Sequence, residues 1–372
     1  MDKEQKFPFY AKASFLFIGM FAFISMLYIG KSIIVPIIFA TVIAIVLHPV
    51  VNYLVKIRIN RVLAISITLT LTILLIAALG SFLFSQFSRF SESWPQMVAK
   101  FDGYFNEIID WASEYFNLSP DKILAWIAKT KSELFNSSGA AIGNTIVNVG
   151  NALVVMLLVP VYIFMILFYQ PLLIEFIRRI FGEANRVEVS KIISQVKSLV
   201  QSYLSGLFIE AVMVAILDIS ALLILGIDYA VLLGIMGALL NVIPYLGGIV
   251  AVALPMMIAF VTKSSPVYPL YVMAAYYFIQ LIDNNFIVPK IVASKVKINA
   301  LVSIVVVLAF GALWGIPGMF ISIPLTAIVK LIFDHIEPLK PWGFLLGDTM
   351  PVISIFNVLP KKKLKDKVSQ QE

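Results

Sequence analysis

Long apolar runs separated by short polar breaks dominate this chain and set its first reading. A helix needs about 20 predominantly apolar residues to cross a hydrocarbon core. The runs predict three early spans, over 13–30, 33–54 and 61–85, with turns at Lys31-Ser32 and around Lys56, Arg58 and Arg61. Residues 86–145 turn polar and aromatic. Phe101, Phe105, Ile108, Ala112 and Tyr115 recur there at helical spacing, as do Ile123, Ile127 and Leu134. Ser119-Pro120-Asp121 reads as a helix start. A fourth span covers 146–169 and is expected to stop at Gln170-Pro171. Beyond it, Val189, Ile192, Ile193, Val196, Leu199 and Val200 form one apolar stripe among Arg178, Arg179, Arg186, Lys191 and Lys197, which predicts an amphipathic helix running into a fifth span over 200–226.

The rest of the apolar pattern is interrupted from within. Residues 229–262 are broken by Asn241-Val242-Ile243-Pro244-Tyr245-Leu246-Gly247-Gly248, and residues 298–333 by Gly315-Ile316-Pro317-Gly318. Between them a span over 266–289 ends in Gln280-Leu281-Ile282-Asp283-Asn284-Asn285 and Pro289. Backbone groups freed by Pro and Gly inside a membrane must be received by protein or by a polar cavity. Each broken stretch is longer than one crossing needs, so it reads either as a kinked crossing or as two half-helices. Lys and Arg collect on the cytoplasmic side of membranes. Re-entrant hairpins place Lys290, Lys295 and Lys297, and most of the 28 Lys and Arg, on that side with both termini. The predicted fold is therefore all-α, a polytopic integral membrane protein with two re-entrant helical hairpins. It divides into N-terminal spans (1–85), an extracytoplasmic helical insert (86–145), a fourth span with its amphipathic cytoplasmic helix (146–198), a transport core (199–335) and a basic cytoplasmic tail (336–372). Span-plus-hairpin occurs twice in that core, the second time the opposite way up, a pattern that points to a solute site near the midplane.

Composition agrees. Of the 372 residues 60% are hydrophobic and 13% charged, and the mean hydropathy is +0.96, against about 25% charged in ordinary globular chains. The net charge of +7 is distributed as membrane topology requires, with no basic face interleaved with aromatics for nucleic acid. There is no cysteine, His48 and His335 stand far apart, and no His-Glu-x-x-His occurs, so neither metal nor cofactor is expected. Gly30-Lys31-Ser32 lacks the earlier glycine of a phosphate loop.

The chemistry concentrates at the breaks. Gln280, Asp283, Asn284 and Asn285 stand in an otherwise apolar span, where an ionised group costs about 2.5–3.5 kcal/mol and therefore faces a cavity or a partner. They read as a substrate or ion site facing the hairpin tips, or else as a polar cluster satisfying freed carbonyls. Asn241, Pro244, Tyr245, Gly247 and Gly248 would offer half-helix amides to a polar ligand, or form a plain kink. Gly315, Pro317 and Gly318 carry the same pair of readings with less polar chemistry. Glu210 and Asp218 lie two turns apart on one helix face. With Asp283 they are candidates for coupling transport to H⁺ or Na⁺; the competing reading is a pair meeting water or a neighbouring subunit.

Gly226-Ile227-Asp228-Tyr229-Ala230 through Leu240-Asn241-Val242-Ile243-Pro244-Tyr245-Leu246-Gly247-Gly248, the Gln280 to Asn285 run with Pro289, and Gly315 through Pro324 resemble the autoinducer-2 exporter family, the PerM-like permeases. Val35-Pro36, Pro49 and the stretch from Pro160 to Tyr169 extend the resemblance over nearly the whole chain. The sequence departs from the family at Ser205-Gly206-Leu207, where Arg-Gly-Gln is frequent, at His48, where Asn is common, and at Ala300, where Pro is common. The resemblance implies a multi-pass exporter of a small polar, autoinducer-2-like signal in quorum sensing, assembled as a homo-oligomer, a pentamer in the family pattern. It also leaves open cation/proton antiport, and a membrane scaffold that transports nothing stands as a third possibility.

Overall fold

In lipid every backbone polar group must find a partner within the protein, and helices do this locally. The computed structural model describes residues 8–116, 157–243, 247–263, 265, 267–293 and 296–350. Six of the helices among them are long and apolar enough to cross a membrane. They are α1 (Phe9–Ile29), α2 (Lys31–Lys56), the Arg61–Ser91 part of α3 (Arg61–Phe116), α4 (Leu157–Phe181), α5 (Arg186–Ile224) and α10 (Ala300–His335). Between α5 and α10 lie α6 (Ala230–Asn241), α7 (Gly247–Thr262), α8 (Tyr268–Ile282) and α9 (Asp283–Ala293), the last wound in wide π turns. A short α11 (Lys340–Leu346) follows α10. The chain is an all-α polytopic membrane protein. Its outward surfaces suit acyl chains: Phe15, Phe21 and Leu75 are 65%, 73% and 70% exposed.

Two expected boundaries move. No break falls at residue 85, because α3 continues unbroken to Phe116 and so carries the third span out into the polar stretch. Ser119-Pro120-Asp121, Ile123, Ile127 and Leu134 lie outside the described residues. Nor does Pro171 end the fourth span; α4 continues through it and stops before Gly182, which has φ +76°. A helical proline removes the donor to the carbonyl four residues earlier. Here that carbonyl belongs to Leu167, and the Arg61 guanidinium donates to it at 2.6 Å while also reaching Gln170 Oε1 at 3.3 Å. The same device serves Pro49 inside α2. The carbonyl it frees is that of Ile45, and Gln201 Nε2 of α5 donates to it at 2.6 Å.

Ala40, Ala44, Ala64, Ile65 and Leu167 bury α2, α3 and α4 against one another. A second apolar core joins α5 to α6, α7 and α8 through Leu222, Leu233, Ile258 and Val272, with Phe90 of α3 edge-on to Tyr229 at 5.4 Å. A third sets α5 against α9 and α10 through Tyr203, Leu207, Val292, Val307 and Ile323. In that third core α5 and α9 approach so closely at Gly206 that a Cβ there would lie 2.7 Å from the Ile291 carbonyl oxygen. The glycine of Ser205-Gly206-Leu207 is therefore a contact surface.

The interrupted stretches resolve at the backbone. Helices α6 and α7 are separate and pack side by side, and Pro244 and Tyr245 of the tip between them lie outside the described residues. In α10 the break is one residue, Gly315, at φ +68° and ψ −149°, a conformation that disfavours any side chain. A straight helix of 36 residues would run about 54 Å, far beyond a hydrocarbon core of about 30 Å. Instead a Cβ on Gly318 would collide with the Phe310 carbonyl, and one on Gly311 with Met319 at 2.6 Å. Residues eight apart can touch so only where the chain doubles back. Pro317 opens the returning limb, where a missing N–H is harmless.

The far end of α10 is clipped. Asn299 caps the helix by accepting from Val302 N at 2.9 Å, and its amide donates to the carbonyls of Leu345 and Gly347 at 2.8 and 3.0 Å. Ile298 and Gly347 form an isolated antiparallel bridge beside it.

Candidate functional site

The polar residues of the core meet where α8 becomes α9. Asp283 stands at that junction, 1% exposed. Asn241, the last residue of α6, donates to its Oδ2 at 2.8 Å, and Gln280, one turn earlier on α8, reaches the same oxygen at 3.4 Å. Gln280 also reaches Asn284 Oδ1 at 3.4 Å. The other Asp283 oxygen, Oδ1, has no hydrogen-bond partner among the described residues. Leaving a buried polar atom unpaired costs about 1–3 kcal/mol and more for a charged group, so an orphan at such a place calls for a reason. Wide π turns recur at functional sites, where the altered winding re-aims side chains.

A cavity of about 820 Å³ opens on this cluster. Glu210, Tyr203 and Leu207 of α5 form one wall, Asn241 and Gly248 the first hairpin, Tyr276, Tyr277, Gln280, Asp283 and Asn284 the α8–α9 wall, and Ser303 and Ile323 the α10 side. Asp348 stands exposed at the rim. A Cβ on Gly248 would collide with Gln280 Oε1 and lie 3.4 Å from Asn241 Oδ1, so the start of α7 sits close against these two amides.

Glu210 and Asp218 are both buried, 5% and 2% exposed, and both lie close enough to Asp283 to feel its charge. Glu210 is on the cavity wall. Asp218 sits behind it, where a Cβ on Gly237 would lie 2.9 Å from Asp218 Oδ2 and 3.5 Å from the Tyr276 hydroxyl. Asp218 Oδ1 and the Tyr276 hydroxyl join Asp283 Oδ1 in having no partner among the described residues, and none of the three acids forms an ion pair there.

The candidate residues thus separate. Asn241, Gly248, Gln280, Asp283, Asn284 and Glu210 come together on one cavity, with Asp218 adjoining and Gly247 buried at the start of α7. Asn285 does not take part: it is exposed and donates to the Leu281 carbonyl of its own helix at 2.8 Å. Gly315, Pro317 and Gly318 are absent from the cavity wall. Their turn lies beside α1, where Trp314 Nε1 donates to the Leu27 carbonyl at 3.0 Å. Buried Tyr203 and Tyr276 and exposed Tyr277 also line the cavity, and the apolar pattern concealed them; tyrosines within an apolar span are the signal that could have pointed to them. Among the described residues no group of three His, Cys, Asp or Glu could hold a metal ion.

A second polar cluster lies between α2 and α5. His48 Nδ1 accepts from Lys197 Nζ at 2.8 Å and from Asn52 Nδ2 at 3.2 Å. Lys197 can only donate, which makes this nitrogen the acceptor.

Residues 16–337 match the sequence profile described as AI-2E family transporter. The chain is 26% identical over 328 residues to the AI-2 transport protein TqsA of Escherichia coli K12, covering 86% of this chain and 90% of that one. It is 25% identical over 347 residues to a candidate transport protein of Bacillus subtilis 168, YueF, covering 87% and 88%. Against the candidate permease PerM of Escherichia coli K12 it is 25% identical over 272 residues, covering 70% and 77%.

Proposed function

Since this chain belongs to the AI-2E family of transporters, we propose that it is a secondary transporter exporting a small polar solute across the cytoplasmic membrane through the cavity at the α8–α9 junction. One observation carries the reading: a buried carboxylate, Asp283, is held by two amides from different elements with one oxygen left for a ligand. Likeness to TqsA, which is named an AI-2 transport protein, makes a signal of the autoinducer-2 kind one candidate for that solute. Asn241, Gln280, Asp283 and Asn284 contact it, and the α6–α7 and α10 hairpins re-enter from opposite faces, with both termini cytoplasmic. Broken helices meeting near the midplane let one half move against the other while the site stays fixed. In a homo-oligomer, α2–α4 would be the static part and each protomer would work alone.

A second reading, exchange of a cation for protons, is favoured by Glu210 and Asp218 beside Asp283 with no ion pair among the described residues. The measurement is solute flux into liposomes holding the purified protein, with imposed ion gradients. D283N is expected to lose flux while assembling normally. Undiminished flux in D283N removes the site assignment. Flux of a solute that is indifferent to every imposed ion gradient removes the coupling role of Glu210 and Asp218.

A further inference from the structure

The charge of the cavity narrows its solute. We propose, resting on the reading of this cavity as the solute path, that it takes a small organic cation, an amine or quaternary ammonium held between Asp283 and Glu210. Both acids are buried in its wall, Asp348 stands at its rim, and the described lining residues include no Lys, Arg or His. Two carboxylates buried without an opposite charge carry a deficit that they can meet by taking up protons or, at both at once, by holding a bound cation. An anion would deepen it. A neutral polyol would accept or donate hydrogen bonds but leave it in place.

The unpaired oxygen of Asp283 is the second sign, because it is a buried acceptor with no donor among the described residues. Asn241 and Gln280 fix the carboxylate through Oδ2 and so leave Oδ1 for the ligand. The remaining wall fits the organic part. Tyr203 and Tyr276 are buried phenols beside the acids, with Leu207, Val292 and Ile323 around them. Aromatic faces attract ammonium groups through their quadrupole, most strongly when desolvated. A bare metal cation suits this wall poorly. It requires several oxygens converging at close range, and no group of three acids or imidazoles among the described residues is near enough to supply them. A volume of about 820 Å³ is that of a small-molecule site.

The test compares choline with 3,3-dimethylbutan-1-ol, its neutral carbon isostere, by calorimetric titration of the full-length protein in detergent at constant salt. Choline is expected to bind at least about tenfold more tightly than the isostere, a difference that desolvated cation–aromatic and ion-pair contacts can supply. E210Q and D283N, each shown to be folded by gel filtration, should each weaken choline about tenfold or more. Equal binding of the two isosteres overturns the proposal, as does a failure of choline to bind saturably. Ribose binding while choline does not also overturns it, yet leaves the transport reading intact. If liposomes show no flux of any solute but choline still binds with the stated preference, the transport reading falls and the cation site stands. Because the isosteric pair is measured on the unaltered protein, misfolding of a variant cannot hide the answer.

Discussion

Two polar clusters lie within the membrane-spanning part of this protein, and they differ in how completely they are paired. Between α2, α4 and α5 the carbonyls freed by Pro49 and Pro171 each receive a side-chain donor, and the His48 ring receives two. Arg61 Nε is a buried atom there without a partner among the described residues. At the α8–α9 junction the balance is reversed: three buried atoms on Asp283, Asp218 and Tyr276 have none among the described residues. A cluster that closes on itself stabilises helices that proline would otherwise weaken. In the proposed transport, a cluster that does not close keeps its unspent hydrogen bonds for the solute. The distinction matters more than polarity itself, since both clusters contain charged and amide groups.

The comparison can be broken most sharply by neutralising the open cluster. D283N should lower solute flux by about 100-fold or more, equivalent to roughly 2.7 kcal/mol. Its melting temperature should stay level or rise, because a buried carboxylate without an opposite charge gives way to a neutral amide whose oxygen can still accept from Asn241 and Gln280. A large fall in melting temperature would mean that Asp283 is structural.

The closed cluster should answer the other way. R61A orphans the Leu167 carbonyl and should cost about 1–3 kcal/mol of stability, read by thermal denaturation in detergent, with flux per folded molecule kept. Stability equal to the parent would show that water or lipid headgroups serve that carbonyl as well. A finer cut uses Q201A with P49A. Alone, Q201A should destabilise for the same reason. Together with P49A it should recover about 1 kcal/mol, because the restored N–H supplies the Ile45 carbonyl from within α2. Additive losses would separate the proline from the glutamine. The smallest effect is expected at N285A. Its side chain is exposed and bonded only to its own helix, so flux should change less than about twofold, which is under 0.5 kcal/mol. A collapse of flux would return Asn285 to the site.

The spans were legible because a bilayer demands length and apolarity from one continuous segment. The breaks were legible because Gly315 and the Asn241–Gly248 run contradict that demand locally. What the sequence could not disclose were partners far apart along the chain. Pro171 looks like a terminator until Arg61, over a hundred residues earlier, is seen to replace the missing donor. Gln201 does the same for Pro49 by reaching the Ile45 carbonyl, 156 residues away. Asn285 shares its run with Asp283 and was grouped with it, but π winding sends the two side chains in different directions, one inward and one out. The second broken helix was expected at the polar site. It turns instead against α1, because its tip offers Trp314 to a helix-end carbonyl and carries no polar side chain for the cavity.

One amide group, that of Asn299, ties the chain after α10 to the threshold of that helix, and Asp348 follows directly at the mouth of the cavity. The Asn299 N–H also donates to the Leu346 carbonyl at 3.2 Å, and the Ile298–Gly347 bridge lies beside it, so backbone and side chain fasten the same segment. The start of α10 and the mouth of the cavity are thus held by one seam, and whatever loosens it frees the residue at the rim.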